Sequence, residues 1–533
     1  MDDGRVPDPG PPARACLVGG GIAALASAAY LIRDGGFAGQ DILVLEEAPQ
    51  FGGSLDGGGS PETGYVSRGE RIFTYGAFAC AFDLLSFIPS LTDPDLSVKD
   101  EIYRFNEQCV HHPNCRLVAQ GRRFEGPTLD LTNRDRLALV EIMALPEFAL
   151  GTRRIDEMFR AAFFQTVFWR RLCTPFAFQP WHSAVELKRY FHRFIGEFPH
   201  IRTFAEVRRT PLNQYDSIVR PLVRWLEAQG VRFAPGARVL DLDFRDGPNG
   251  RAVETIHYVE GGIRHQIALR DDDLVFVTNG SMTAASSRGS MTSPARLDAD
   301  ERGGAWTLWE TLAAKAAGFG RPEVFTRDVD RSKWLSFTVT LSDPTFFDLM
   351  ERFTGNSPGT GGLVTLLDSS WLMSILLPHQ PHFLGQPDGV QVFWGYGLSV
   401  DREGVFVNKK MSDCTGEELM TELLGHLKFD ADKEAILASA TCIPCMMPFI
   451  TSQFMPRARG DRPPVRPDGT TNLAFIGQFC EIPEEVVFTV EYSVRSAQIA
   501  VYSLLGLDKP VSPLHREDLD PSTLLAAART LVS

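Results

Sequence analysis

The run Ala15-Cys-Leu-Val-Gly-Gly-Gly-Ile-Ala-Ala24 constrains this chain more than any other feature. A short apolar stretch ends in Gly19-x-Gly21-x-x-Ala24, and a helix-forming segment follows to Arg33. Ile42-Leu-Val-Leu-Glu46 then reads as a second strand closing on an acid. Strand, glycine turn, helix, strand and carboxylate in that order form the fingerprint of a dinucleotide-binding βαβ unit. Gly19 permits the tight turn, Gly21 lets backbone approach a pyrophosphate, and Ala24 lets the helix lie close to the strand. Glu46 is suited to accept from a ribose hydroxyl. A plain strand-to-helix turn is the alternative, and it leaves Glu46 unexplained.

The residues after the second strand choose among dinucleotides. Phe51-Gly-Gly-Ser-Leu-Asp56 carries a second glycine pair. It resembles the continuation seen in two-dinucleotide-binding-domain flavoproteins, in which FAD is the nucleotide. Gly57, Gly58 and Gly59 read as an ordinary flexible loop. There is no second GxGxxG unit suited to NAD(P)H, which weighs against a pyridine-nucleotide-driven monooxygenase or reductase.

At 533 residues the chain is too long for one core and suits two or three domains. The formal net charge of −14 argues against a nucleic-acid binder and against strong attraction to anionic membranes. A transient membrane-surface contact through a local basic patch stays open. Nine scattered cysteines, with no signal peptide at the start, suggest free thiols in a reducing cytoplasm. Cys442-x-x-Cys445 has no second ligand pair, so isolated thiols are expected and no metal. No apolar stretch approaches the ~20 residues that span a bilayer.

The expected class is α/β: a Rossmann-type FAD-binding domain interrupted by a substrate-binding domain with mixed sheet and helices, plus further helical elements. Residues 1–12 read as a loose tail, and 13–75 as the first part of the FAD domain. Residues 76–210 form a mainly helical insert, and 211–300 return to the FAD domain. There Tyr215 to Gln229 has helical spacing, and Gly236 to Asp243, with Val239, alternates like a strand. Residues 301–455 form the substrate domain, 456–510 the closing strand and helix, and 511–533 a C-terminal tail.

Several long strings resemble one family, the oleate hydratases, FAD-containing fatty acid hydratases once called myosin-cross-reactive antigens. They are Gly52-Gly-Ser-Leu-Asp-Gly57, Phe178-Gln-Pro-Trp-His-Ser-Ala184 with Arg189-Tyr190, and Asn213-Gln-Tyr-Asp216. Thr278-Asn-Gly-Ser-Met282, Phe475-Ile-Gly-Gln-Phe479, Val486-Val-Phe-Thr489 and Glu491-Tyr-Ser-Val-Arg495 continue the series. The resemblance covers about Ala15 to Leu505. It implies FAD held by Gly53, Ser54, Arg68, Gly69, Val239, Asn279, Gly477 and Gln478 beside the fingerprint residues. It implies that water adds across a cis double bond of an unsaturated fatty acid, oleate giving a 10-hydroxy acid, with no net redox change.

Alkene hydration needs an acid for one carbon and an oriented or deprotonated water for the other. By resemblance Tyr190 is the acid. The family's string Arg-Gly-Gly-Arg-Glu ends in the residue assigned to water activation; here it reads Arg68-Gly69-Glu70-Arg71-Ile72. Ile72 cannot accept a proton. Glu70 is the candidate base, although two residues of extended chain can span ~7 Å. Backbone carbonyls or Tyr75 are the alternatives for holding water. Ile450-Thr-Ser-Gln-Phe-Met-Pro-Arg457 aligns with the family's carboxylate-holding segment. Thr451, Gln453 and Arg457 therefore become candidate substrate ligands, Arg457 having a solvated surface charge as its alternative. His182 reads as a structural hydrogen-bonding residue or a chemical one.

A redox or isomerising flavoenzyme acting on a lipid, and a lipid-binding flavoprotein with little activity, are the competing functions. Fold alone does not choose between them. The short chain ends are compatible with a monomer, and a homodimer remains open.

Overall fold

A computed structural model describes residues 13–532 apart from 127 and 206; the tail expected at 1–12 lies outside the described residues. The centre of the nucleotide region is a five-stranded parallel sheet. Its strand order is Leu473–Ile476, Leu274–Thr278, Ala15–Val18, Ile42–Glu46 and Arg232–Pro235. The strand Ala15–Val18 is buried along its whole length. That is why its sequence is a continuous apolar run rather than an alternation. The helix Ile22–Arg33 is rich in alanine, and ten of its twelve residues are buried. Small side chains let it lie against both the sheet and the helix Val490–Leu505. A parallel sheet with such crossovers opens its binding crevice at the carboxyl ends of the strands, where the order switches about Ala15–Val18.

A second layer is an eight-stranded mixed sheet. Its core strand Trp334–Leu341, buried throughout, pairs antiparallel with Gln391–Gly397 and Ala440–Met447. Cys442 and Cys445 are buried on the last of these strands, and all nine cysteines are free thiols. Strands Leu117–Ala119 and Arg122–Arg123 extend this sheet, so the insert contributes to it as well as carrying helices.

The run Gly57–Gly59, read from sequence as a flexible loop, is instead part of a strand, Gly57–Ser60, paired with Gly64–Ser67. The pairing exists because the hairpin docks on the second sheet. The Tyr65 and Ser67 amides donate to the Thr340 and Thr338 hydroxyls at 2.8 and 3.1 Å. Glycine is required at Gly59, where φ is +110° and a Cβ would lie 2.2 Å from the Gly64 carbonyl oxygen. The hairpin thereby carries the chain from the nucleotide crevice to the second sheet.

Residues 215–229 are helical as the spacing predicts, but begin as a π turn, Tyr215–Val219, before the α-helix Arg220–Ala228. Pro221 sits in the first turn of that α-helix, where its missing N–H costs nothing. The C-terminal stretch carries a helix, Pro521–Val532, packed near Ile195–Glu197. Among the described residues no helix is long and apolar enough to cross a membrane.

Candidate functional site

The crevice of the parallel sheet is a cavity of about 400 Å³. Gly19, Gly21, Glu46, Gly53, Ser54 and Arg68 line it, together with Val239, Gly477 and Gln478. Gly19 is held at φ +96°, and a Cβ there would lie 2.9 Å from the Thr278 hydroxyl. At Gly21 the nearest protein atom to an added Cβ is the Gly53 Cα at 3.9 Å, so a side chain would project into open crevice. Gly21 is also the N-cap of the helix Ile22–Arg33 and supplies no side-chain bond to its first amides. Those amides and the helix dipole make an anion site. The Thr278 hydroxyl lines the crevice, buried without a partner. Glu46 accepts from the Gly20 and Ala48 amides, and burial raises its pKa. Arg68 pairs with Asp56 across the same wall at 2.6 Å. A cradle of glycines, free amides, a ribose acceptor and a cation fits a dinucleotide.

Three predicted cofactor residues do not line the crevice. Ala24 is fully buried in the helix, which suits its packing role. Gly69, at φ +106°, faces the Trp394 ring, 3.0 Å from where its Cβ would be. Asn279 is fully buried with neither side-chain polar atom hydrogen-bonded.

Beyond Arg68 the chain enters a different chamber. Two adjoining cavities of about 70 and 100 Å³ share Glu70, Arg71, Ile72, Phe204 and Phe488 as walls. Tyr190 lines the first; its hydroxyl donates to the Val487 carbonyl at 2.7 Å. Burial raises the Tyr190 pKa well above the phenol value, and Arg193 and Arg71 oppose that shift. Glu70 is buried; desolvation raises its pKa and Arg209, 3.4 Å away, pulls it down. Burial lowers Arg71 to about 10, so it stays charged at neutral pH. The second cavity ends in Arg116, Arg209 and His111. Phe488 keeps a left-handed backbone at φ +69°, a strained conformation for a bulky residue. Tyr75 lines neither cavity; it packs on Tyr103 and under Arg208.

The sequence model of the MCRA family matches residues 13–502. The chain belongs to the MCRA family. It is 40% identical over 524 residues to an oleate hydratase of Streptococcus pyogenes serotype M49 (strain NZ131), covering 96% of this chain and 88% of that protein. It is 34% identical over 563 residues to a linoleate hydratase of Lactiplantibacillus plantarum, covering 97% and 98%. Among solved structures, cyclohexylamine oxidase from Brevibacterium oxydans IH-35A superposes with a TM-score of 0.53 at 13% identity, covering 93% of this chain and 99% of that one. That likeness speaks to the fold alone.

In this MCRA-family chain the expected carboxylate ligands lie apart from both cavities. Thr451, Gln453 and Arg457 line neither cavity. The Thr451 hydroxyl donates to the Ser332 carbonyl at 3.0 Å, and the Gln453 amide to the Ile450 carbonyl at 3.0 Å. Arg457 is neither a surface charge nor a free cation: it is buried between Glu186 and Glu481, at 3.3 and 2.8 Å. Those carboxylates balance its charge, while one Arg457 Nη and the Gln453 Oε1 stay buried without a hydrogen bond. His182 is buried, accepts from the Gln179 amide at 3.0 Å, and is lowered to about 3 by desolvation, as a structural imidazole would be. Sequence reasoning missed Arg71, although it stands inside the quoted motif. It also missed Arg116, Arg209 and His111, which share no motif and meet only in the folded chain.

Proposed function

We propose that this protein is a fatty acid hydratase that adds water to a cis double bond of an unsaturated fatty acid, with FAD in a non-redox role. The observation that carries the reading is the convergence of Tyr190 and Glu70 on one largely apolar cavity at Ile72. The names of the two relatives support it. FAD, when bound in the crevice by Gly19, Gly21, Glu46 and their neighbours, would supply phosphate charge for the glycine cradle, with no electrons needed, because hydration leaves the substrate's total oxidation level unchanged.

Tyr190 is the acid and donates its phenolic proton to one alkene carbon. Water attacks the other carbon, and Glu70 accepts a proton from that water. The proton returned from Glu70 to the phenolate closes the cycle, so the net change is one water added. Burial alone would make the phenolate costly. Glu186 and Glu485 add to that cost, and Arg193 and Arg71 reduce it in part, since both favour the anionic form of Tyr190. Burial also makes Glu70 a stronger base than an exposed carboxylate. Ile72 stands where the resemblance expects the acid, so Glu70 takes up the base role from two positions earlier.

The cavities are smaller than the ~300 Å³ at which ligand sites usually begin. A long chain must therefore displace part of the shared wall, and strained Phe488 is the element suited to yield. The FAD domain comprises 13–75, 211–300 and 456–510, the substrate region 76–210 and 301–455; the five-stranded sheet draws only on the first set. Nine free thiols accord with a cytoplasmic setting.

The test is incubation with oleate and linoleate, followed by mass spectrometry of the lipid. A gain of one water is expected, without NAD(P)H. A lipid that has lost hydrogen would instead favour the redox alternative, and an unchanged mass isomerisation or binding alone. Tyr190→Phe should keep the fold and bound flavin yet lose hydration roughly 10²–10⁴-fold.

A further inference from the structure

We propose that the end of the second cavity formed by Arg116, Arg209 and His111 binds the carboxylate of the fatty acid. This rests on the reading that the chamber takes such a lipid, and it replaces the anchor expected at Thr451, Gln453 and Arg457.

All three side chains are more than nine-tenths buried and line the cavity. Arg116 is fixed from behind: one Nη donates to the Ile201 carbonyl at 2.7 Å, and the guanidinium lies over the Phe204 ring at 4.3 Å. Its Nε has no hydrogen-bond partner. Arg209 is likewise incomplete. Its Nε and one Nη are buried without a hydrogen bond, and Glu70 is its ion-pair partner at 3.4 Å. The His111 Nδ1 is also unpartnered. Burial, Arg209 and Arg116 hold that imidazole neutral, at about 2. The cavity wall thus carries three guanidinium charges, Arg71, Arg116 and Arg209, against the one carboxylate of Glu70. Arg171 adds further positive potential, and with burial and Arg209 it lowers Arg116 to about 9.

A buried cation without a matching anion is strongly unfavourable, and so is each orphaned donor. An anion offering two acceptor oxygens would relieve both at once. Much of the remaining wall is hydrocarbon, including Leu363, Leu376 and Phe488, with Glu70 and Arg71 on the side shared with the first cavity. A cluster of unpaired donors beside a largely hydrocarbon wall describes the complement of an anionic head on an alkyl chain. Inorganic phosphate would satisfy the donors but leave the apolar wall unfilled. With the head fixed here and Tyr190 in the adjoining cavity, the distance between them selects which double bond is presented for hydration. Arg116 and Arg209 are then specificity-determining residues.

The experiment is equilibrium binding of oleate and of oleyl alcohol to the flavin-loaded protein. The parent should bind the acid more tightly than the alcohol. Arg116→Gln and Arg209→Gln should each weaken oleate by about tenfold or more, the size of a lost charged hydrogen bond, and alter oleyl alcohol less than about twofold. Thr451→Val should change neither. Equal loss for both probes, or an acid-selective loss at Thr451→Val alone, would overturn the assignment. Should a variant misfold, as judged by flavin absorbance, the parent decides: equal affinity for acid and alcohol overturns the anchor. Acid-selective binding without any hydroxylated product would sink the hydratase reading and support the anchor. Hydration with undiminished acid binding in both variants would do the reverse.

Discussion

Two groups of buried charge lie in this molecule and differ in one respect, their balance. In the first, Arg457 and Arg462 share Glu186, while Arg457 and Arg189 share Glu481. Arg189 also pairs with Glu147 at 2.7 Å. Three guanidinium groups face three carboxylates at 2.7 to 3.3 Å, so the charges balance, although Arg457 and Arg462 each keep one buried nitrogen without a hydrogen bond. In the second, Arg71, Arg116 and Arg209 line a cavity whose one carboxylate among the described residues is Glu70, paired with Arg209, and donors stay unpaired. The balanced group ties together the helix Ala184–Phe194 and the segments at 457–462 and 481. The unbalanced group surrounds empty volume. Buried charge that is internally matched holds a fold, whereas buried charge left in excess marks a place for a ligand of opposite sign.

The contrast breaks most sharply if one partner is removed from each group. Glu186→Gln would strand Arg462, which is fully buried. Urea unfolding should register a loss of about 3–5 kcal/mol. Arg116→Met removes excess charge and sacrifices one bond to the Ile201 carbonyl, so its cost should stay within about 1.5 kcal/mol. Comparable losses in the two variants would erase the distinction. Glu70→Gln should depress hydration by roughly 10²-fold, the lower range for a lost general base. In the parent, the rate should rise with pH through a value above the ordinary carboxylate pKa, because burial favours the protonated form of Glu70.

Acid titration separates the groups further. Burial raises Glu481, but Arg457, Arg189 and Arg462 outweigh it and bring the carboxyl to about 2. Its folded-state pKa is depressed, so it contributes stability above the ordinary Glu value of about 4.3, and loses it as pH falls toward 2. Melting temperature should drop across that window, and less in Glu481→Gln. The smallest expected effect is at Ile72→Glu. A second carboxylate beside the excess cations should raise the hydration rate severalfold, with cavity polarity costing about 1–3 kcal/mol of stability. A slower variant would mean that the pocket keeps the new acid protonated.

The nucleotide crevice was legible in sequence because its code is local. Gly19, Gly21 and Glu46 lie within one βαβ unit, and each answers a constraint set by neighbours a few residues away. The hairpin at Gly57–Ser60 was not, since glycines carry no strand propensity and only docking on Thr338 and Thr340 orders them. The motif containing Tyr190 and Arg68 to Ile72 led to the chamber by resemblance. Resemblance also led to Thr451, Gln453 and Arg457, which the fold sets outside the two cavities. His111, Arg116 and Arg209 come from separated segments, and no spacing rule could pair them before tertiary structure did. An arginine's role was set by how many carboxylates surround it, which sequence does not state.

The parallel sheet has a consequence for the order of assembly. Its strand Leu274–Thr278 must be flanked on one side by Ala15–Val18 and on the other by Leu473–Ile476. Gly477 and Gln478, which close the crevice, follow directly on that last strand. Parallel pairings between such distant segments form slowly, because long loops must close before any contact rewards them. A ribosome-bound chain would therefore expose the Leu274–Thr278 edge until almost all of the polypeptide had emerged. During synthesis this protein passes through a long interval with an unpaired hydrophobic strand, when chaperone protection matters most.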